Sequence, residues 1–286
     1  MNIFKTLFGG RDNSTDNKQK EEKNFEILKY DGVRALKTSQ VDYAIQCFTH
    51  ALEMNDADLE CRDYLSRAYI MTGDLPQAYE QLRIMSEACP DNVAILVRIA
   101  DVAYMMENYT MMADACEKAL LVDADNPQVN YLYAKACQGQ GELNNAVALL
   151  TKALALNADF DQARQLRGEI LLENGDYEDA AEDAANLLQR FDSNEDVLLL
   201  NARVQKAQGN HDVAIQMYSK VIEVNPFCVE AFKERGTEYR KQGDEQAAQA
   251  DEATAAEYEA NMPNADEGIE EKIKKAYREK DPYGVF

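Results

Sequence analysis

Apolar residues recur along most of the chain at spacings of three and four, the period of one helix face, and the pattern restarts every 34 residues. Beginning at Phe25, seven windows follow without insertion or deletion: 25–58, 59–92, 93–126, 127–160, 161–194, 195–228 and 229–262. The eighth position of each is small: Gly32, Ser66, Ala100, Ala134, Gly168, Ala202 and Gly236. The twentieth holds Ala44, Ala78, Met112, Ala146, Ala180, Ala214 and Ala248, and Gly73, Gly141, Gly175, Gly209 and Gly243 fill the fifteenth.

A small side chain in mid-helix lets a neighbouring backbone come close, and a glycine supplies the left-handed conformation that ends a helix. Each window therefore predicts a helical hairpin whose first helix stops at position fifteen. Leu65 with Tyr69, and Tyr133 with Cys137, set apolar groups at positions seven and eleven; Ala78 with Leu82, and Ala214 with Tyr218, do so at twenty and twenty-four. Residues four apart share a helix face, so the two helices of a hairpin can interlock along these stripes. Pro90 and Pro226 at position thirty-two predict the end of the second helix.

These residues resemble the tetratricopeptide repeat family, whose motif has a small residue at eight, Tyr at eleven, Ala at twenty and twenty-seven, and Pro at thirty-two. The resemblance covers 25–262 and is fullest in the second repeat, where Leu65, Tyr69, Gly73, Ala78 and Pro90 all fit. It implies an all-α fold, a right-handed superhelical solenoid of helix-turn-helix hairpins, with a concave groove lined mainly by first helices. In this family such a groove is usually a binding surface for peptides or extended protein segments. Arg167 and Arg235 at position seven and Glu252 at twenty-four depart from the pattern and leave the packing of repeats five and seven open.

Helix geometry sets positions two, five, six, nine, twelve and thirteen opposite the packed stripe. The groove candidates there are Lys29, Tyr30, Tyr64, Arg67, Met71, Arg98, Asp101, Tyr104, Met105, Tyr131 and Lys135 in repeats one to four, and Arg203 in repeat six. Tyr and Arg dominate binding hot spots and Met adapts to irregular partners, so the principal surface is expected in repeats two to four. Gln165, Leu166, Glu169, Leu199 and Leu200 in repeats five and six offer less. Tyrosines that merely pack on one another along a solvent-facing groove are the plainer alternative. Some family members clamp a C-terminal carboxylate; Lys29 and Arg98 fit that pattern, but Val33, Tyr64 and Ala94 do not, so the clamp is incomplete.

Charge narrows the partners. Against 30 Lys and Arg stand 52 Asp and Glu, a net charge of −22, which repels phosphate backbones and argues against nucleic acid. Residues 25–160 hold 10 basic and 20 acidic side chains, and 161–262 hold 10 and 22. In that field Arg67, Arg98 and Lys135 mark a place for an acidic or carboxylate-bearing protein segment; simple pairing with Asp63 and Asp101 is the alternative.

The six cysteines lie far apart without a CxxC pair, and the only histidines are His50 and His211, so the cysteines read as buried thiols in a reducing, cytoplasmic setting. No catalytic grouping, phosphate loop or calcium loop is visible, and Met105, Met106, Met111 and Met112 read as packing rather than copper ligands. No cofactor and no metal is expected. No apolar run is long enough to cross a bilayer, and MNIFKTLFGG lacks the features of a secretory signal.

Residues 1–10 read as an amphipathic tip bearing Ile3, Phe4, Leu7 and Phe8, the rest of 1–24 as a disordered polar linker, and 263–286 as a capping helix with a flexible DPYGVF tail. The tip is expected to serve docking or targeting, with membrane contact the lesser expectation. The function expected is a non-enzymatic adaptor that captures an extended segment in the concave groove. The alternatives are a structural subunit that oligomerises through the solenoid flanks and, more distantly, an enzyme with an unrecognised groove site.

Overall fold

The computed structural model describes residues 13–261, and the side chains of 20–260. Among the described residues there are fourteen α-helices and no strand: α1 Asn13–Lys37, α2 Val41–Met54, α3 Leu59–Thr72, α4 Leu75–Ala88, α5 Val93–Met105, α6 Tyr109–Val122, α7 Pro127–Gly139, α8 Leu143–Leu156, α9 Asp161–Asn174, α10 Tyr177–Arg190, α11 Glu195–Ala207, α12 His211–Val224, α13 Val229–Lys241 and α14 Glu245–Asn261. From α3 onward each odd-numbered helix starts on the first residue of a 34-residue window. The chain divides between Asn108 and Tyr109 into two compact units, α1–α5 and α6–α14. Within each unit, helices consecutive in sequence pack on one another.

Backbone geometry explains the periodic glycines. Position fifteen is left-handed in all seven windows, with φ between 79° and 87° at the five glycines, and 57° and 55° at Ser39 and Glu107. A side chain tolerates this conformation at a cost of roughly 1–2 kcal/mol, so glycine is favoured there without being obligatory. First helices are also capped from the preceding residue: Asp58, Asn92, Asn126 and Asn194 each accept a hydrogen bond from a first-turn N–H. Each such cap contributes about 1 kcal/mol.

The small positions are where helices meet. Every position-twenty side chain, from Ala44 to Ala248 and including Met112, is fully buried, and all seven position-eight residues are buried. Around them the first unit packs Phe25, Leu36, Phe48, Leu52 and Leu65. In the second unit Leu150, Leu154 and Ile170, then Leu187 and Leu200, then Tyr218 and Val221 fill successive layers.

The departures at position seven are compensated, not disordered. Arg167 places Nε 2.8 Å and Nη2 2.7 Å from the two oxygens of Asp183, and Nη1 donates to Thr151 Oγ1 at 3.1 Å. Arg235 repeats this on Asp251, at 2.8 Å for both contacts, and on Ser219 Oγ at 2.9 Å. In each case the acid sits at position twenty-three of the same window and the hydroxyl at position twenty-five of the window before. Glycine at position eight makes room beside the acid: a Cβ on Gly236 would lie 3.3 Å from the Ala248 carbonyl oxygen and 3.3 Å from Asp251 Cβ. Glu252 turns outward to an ion pair with Arg240 at 2.5 Å.

One expectation is corrected at the N-terminal side. Helix α1 begins at Asn13, so most of the polar stretch read as a disordered linker is helical. The reason is local: no glycine or proline interrupts 13–24, and its Lys, Gln and Glu residues are good helix formers. The tip at 1–10 and the capping helix and tail at 263–286 lie outside the described residues.

Candidate functional site

In the first unit the groove candidates divide into exposed and committed side chains. Tyr30 and Tyr104 are exposed, Asp101 and Met105 are half-buried, and Met71 packs against the core. Tyr64 stacks on Phe48 with ring centres 5.5 Å apart, and the Arg67 guanidinium lies 5.8 Å from the Tyr64 ring.

The cations of this unit are answered by carboxylates. Lys29 lies 3.1 Å from Asp58 and 2.6 Å from Glu60. Burial acts to lower its pKa, but the hydrogen bonds it donates to Glu60 and Asp58 outweigh that and hold it above the usual lysine value. Arg67 pairs with Asp63 at 2.7 Å. Arg98 corrects an expectation: it is only 7% exposed, bonded to Asp63 and, through Nη2 at 2.6 Å, to the buried Ser66 hydroxyl. Its side chain is long enough to reach back across α3, so a position assigned to the groove becomes an inter-helix clasp.

The second unit contains a cleft of about 410 Å³. It is lined by Tyr131 of α7, by Asp161, Gln162, Gln165, Leu166 and Glu169 of α9, by Leu187 of α10, by Phe191 and the capping Asn194, and by Asp196 and Val197 of α11. Tyr131 is steadied by Phe160, with ring centres 5.1 Å apart, and the Lys135 ammonium lies 5.8 Å from the same Tyr131 ring. A smaller recess of about 140 Å³ shares Glu169 and Asp196 and continues to Leu172, Leu199, Leu200 and Arg203.

Electrostatically the cleft is acidic and unevenly balanced. Asp161 pairs with Arg190 at 2.5 Å. Arg203 is held by Glu234 at 2.8 Å, which also accepts from Lys206 at 2.9 Å and from the Tyr218 hydroxyl at 2.7 Å. Glu169 accepts a hydrogen bond from the Gln165 amide at 2.7 Å. Its side chain touches water but is walled in by a concave surface, and this burial, reinforced by Asp196, raises its pKa above the ordinary glutamate value.

The cleft thus unites Tyr131 and, through its extension, Arg203 with repeats five and six, which the sequence pattern ranks below repeats two to four. Asp161, Gln162, Leu187, Phe191, Asn194, Asp196 and Val197 are lining residues that the candidate set lacks. Gln162 and Asp196 hold position two, already assigned to the groove; Leu187 and Phe191 come from a second helix and its end, beyond the reach of a rule about first helices.

Among the described residues no group of three or more His, Cys, Asp or Glu is placed to hold a metal ion, and no helix is long and apolar enough to cross a membrane. Burial pushes the Cys61 thiol up to about 12 and the Cys137 and Cys228 thiols up to about 11, which suppresses the thiolate that a nucleophile requires.

Comparison with known proteins places this architecture. Tetratricopeptide repeat signatures match residues 131–196 and 171–234. The Caenorhabditis elegans BBSome complex member bbs-4 is 22% identical over 214 residues, covering 72% of this chain and 46% of that protein. The chain spans less than half the length of the curated relatives it matches. Among solved structures, a tetratricopeptide repeat protein from Parabacteroides merdae ATCC 43184 superposes with a TM-score of 0.69 at 16% identity, covering 88% of this chain and 98% of that one. PilW, a type IV pilus biogenesis factor, superposes with a TM-score of 0.62 at 17% identity, covering 76% and 99%. Stacked hairpins define a helical-repeat protein, and the signatures specify which kind. Residues 131–234 match tetratricopeptide repeat models, and the described residues share the fold of a solved tetratricopeptide repeat protein.

Proposed function

We propose that the chain is a non-enzymatic interaction scaffold that holds an extended segment of another protein against its first-helix faces, with the second-unit cleft as the principal docking place. The observation that carries this reading is the cleft itself, whose volume of about 410 Å³ and wall of Tyr131, Leu166, Leu187, Phe191 and Val197 suit apolar side chains of a partner. Lys29, Tyr30, Tyr64, Arg67, Met71, Asp101, Tyr104 and Met105 supply a second contact area on the first unit. The repeat signatures support protein binding, since tetratricopeptide repeats generally mediate it. The names of bbs-4, a complex member, and PilW, a biogenesis factor, favour a second reading in which the chain is a subunit of a larger assembly. Six cysteines without a disulfide support residence in a reducing compartment such as the cytoplasm.

Photocrosslinking tests the docking face. Gln162 is exposed and lines the cleft, whereas Glu178 is exposed on α10 away from it. The variant Gln162→p-benzoylphenylalanine is expected to yield a discrete adduct with a protein of the native source, and Glu178→p-benzoylphenylalanine is not. An adduct at the second position without one at the first would refute the cleft as the docking place.

A further inference from the structure

We propose that the second-unit cleft takes an extended partner segment that carries lysine or arginine beside its apolar side chains. This inference rests on the reading of the cleft as a protein-docking groove and adds the chemistry of the occupant. The lining mixes apolar side chains with polar groups whose charges are not balanced. Asp161 is neutralised by Arg190, and Arg203, which lines the adjoining recess, is committed to Glu234. Glu169 accepts a hydrogen bond only from the neutral Gln165 amide and feels Arg203 at longer range, and among the described residues neither Glu169 nor Asp196 is within ion-pair distance of a cation. Both border the cleft and the adjoining recess, so they stand where the two spaces meet. Gln165 Oε1 is buried and accepts no hydrogen bond among the described residues.

The unanswered groups are thus all acceptors, and two are anionic. A cationic donor from a partner answers them, whereas an acidic segment meets repulsion from Glu169 and Asp196. This reverses the sign expected from Arg67, Arg98 and Lys135, since Arg67 and Arg98 are already engaged by Asp63. The net charge of −22 attracts any cation at long range, so the test must separate the two cleft carboxylates from the overall field.

The probe is a phage-displayed library of random dodecapeptides, selected on the immobilised full chain at about 0.15 M salt, where the field of distant charges is screened. Three proteins are compared: the wild type, E169Q/D196N, and E178Q/D179N, which removes the same charge from an exposed part of α10. Glu169→Gln alone, which keeps an acceptor for Gln165, is carried beside the double variant, and thermal melting checks that each is folded. Peptides retained by the wild type are expected to be enriched several-fold in Lys and Arg over the unselected library. That enrichment is expected to vanish with E169Q/D196N and persist with E178Q/D179N. A synthetic copy of a retained peptide should bind E169Q/D196N about fivefold or more weakly than wild type. Retained peptides that are neutral or acidic, an enrichment that survives E169Q/D196N, or one lost equally in E178Q/D179N would each overturn the proposal while leaving the groove reading intact. Retention of no peptide above an empty matrix would count against both.

Discussion

Arg167 forks onto Asp183 across the hairpin of repeat five, and Arg235 makes the same fork onto Asp251 two repeats later. Asp183 has no exposed surface, so the fork is a buried ion pair whose carboxylate depends on its arginines. Arg164 Nη1 also lies 3.3 Å from Asp183 Oδ1, so removing Arg167 leaves the buried carboxylate with one weaker partner, while replacing both members of the fork by a neutral pair need not cost stability. Arg167→Leu alone is expected to destabilise by about 1–3 kcal/mol, since Arg164 still answers Asp183. Adding Asp183→Gln reproduces the Leu65 and Gln81 combination of repeat two and is expected to return stability to within about 1 kcal/mol of wild type. Urea unfolding of the two variants checks this.

The two groove arginines of the first unit separate in the same way. Position alone predicts that either can be removed without loss of stability. Arg98→Ala, however, takes the donor from the buried Ser66 hydroxyl, which keeps only its own 2.7 Å bond to the Asp63 carbonyl, and opens a cavity; it is expected to cost about 1–3 kcal/mol. Arg67→Ala leaves Asp63 still paired with Arg98 and should cost about 0.5 kcal/mol or less. Thermal melts that place the two variants together would contradict the clasp.

Two carboxylates should show opposite pH signatures. Glu238 is covered only thinly but has no exposed surface; burial pushes its pKa up, yet hydrogen bonds from Lys241 at 2.9 Å and His211 at 2.5 Å outweigh that and hold it below 4.5. Its contribution is therefore present above the unfolded value and lost as pH falls through the lower folded value. Glu169 is raised above 4.5, so its ionised form costs stability at neutral pH. Glu238→Gln should lower the melting temperature at about pH 7, Glu169→Gln should raise it, and both differences should fade as pH falls below these values. Melts across that range check both signs.

The fold is legible in the sequence because its rules are local and periodic. Positions eight, fifteen and twenty report close packing and backbone handedness, and these do not depend on the partner residue. The Arg167–Asp183 fork is less legible, since an arginine at position seven reads as a defect until Asp183, sixteen residues on, is seen to answer it. The cleft is only partly legible: Tyr131, Gln165, Leu166 and Glu169 stand at groove positions, but Leu187 and Phe191 enter from α10. Residue type also misleads. Ranking by Tyr, Arg and Met content favours repeats two to four, where Arg98 is buried and Lys29 is paired, over repeats whose concavity depends on how helices meet.

Truncation separates the helical N-terminal extension from the repeats. Residues 20–24 are exposed, and among the described side chains Phe25 is the first that is buried. A chain lacking 1–24 should fold unaided and melt within about 2 °C of the full chain. Removing 1–29 also takes Phe25 and the Lys29 contacts with Asp58 and Glu60, and should lower the melting temperature by several degrees.

The central claim is that the cleft of the second unit receives the partner. Methyl-labelled protein reports on it directly, because Leu166, Leu187 and Val197 line the cleft while Val221 lies buried elsewhere in the same unit. On titration with the protein recovered by crosslinking, the methyl resonances of Leu166, Leu187 and Val197 are expected to shift together and saturably, with Val221 unmoved. Saturable binding that leaves those three unshifted would contradict the account.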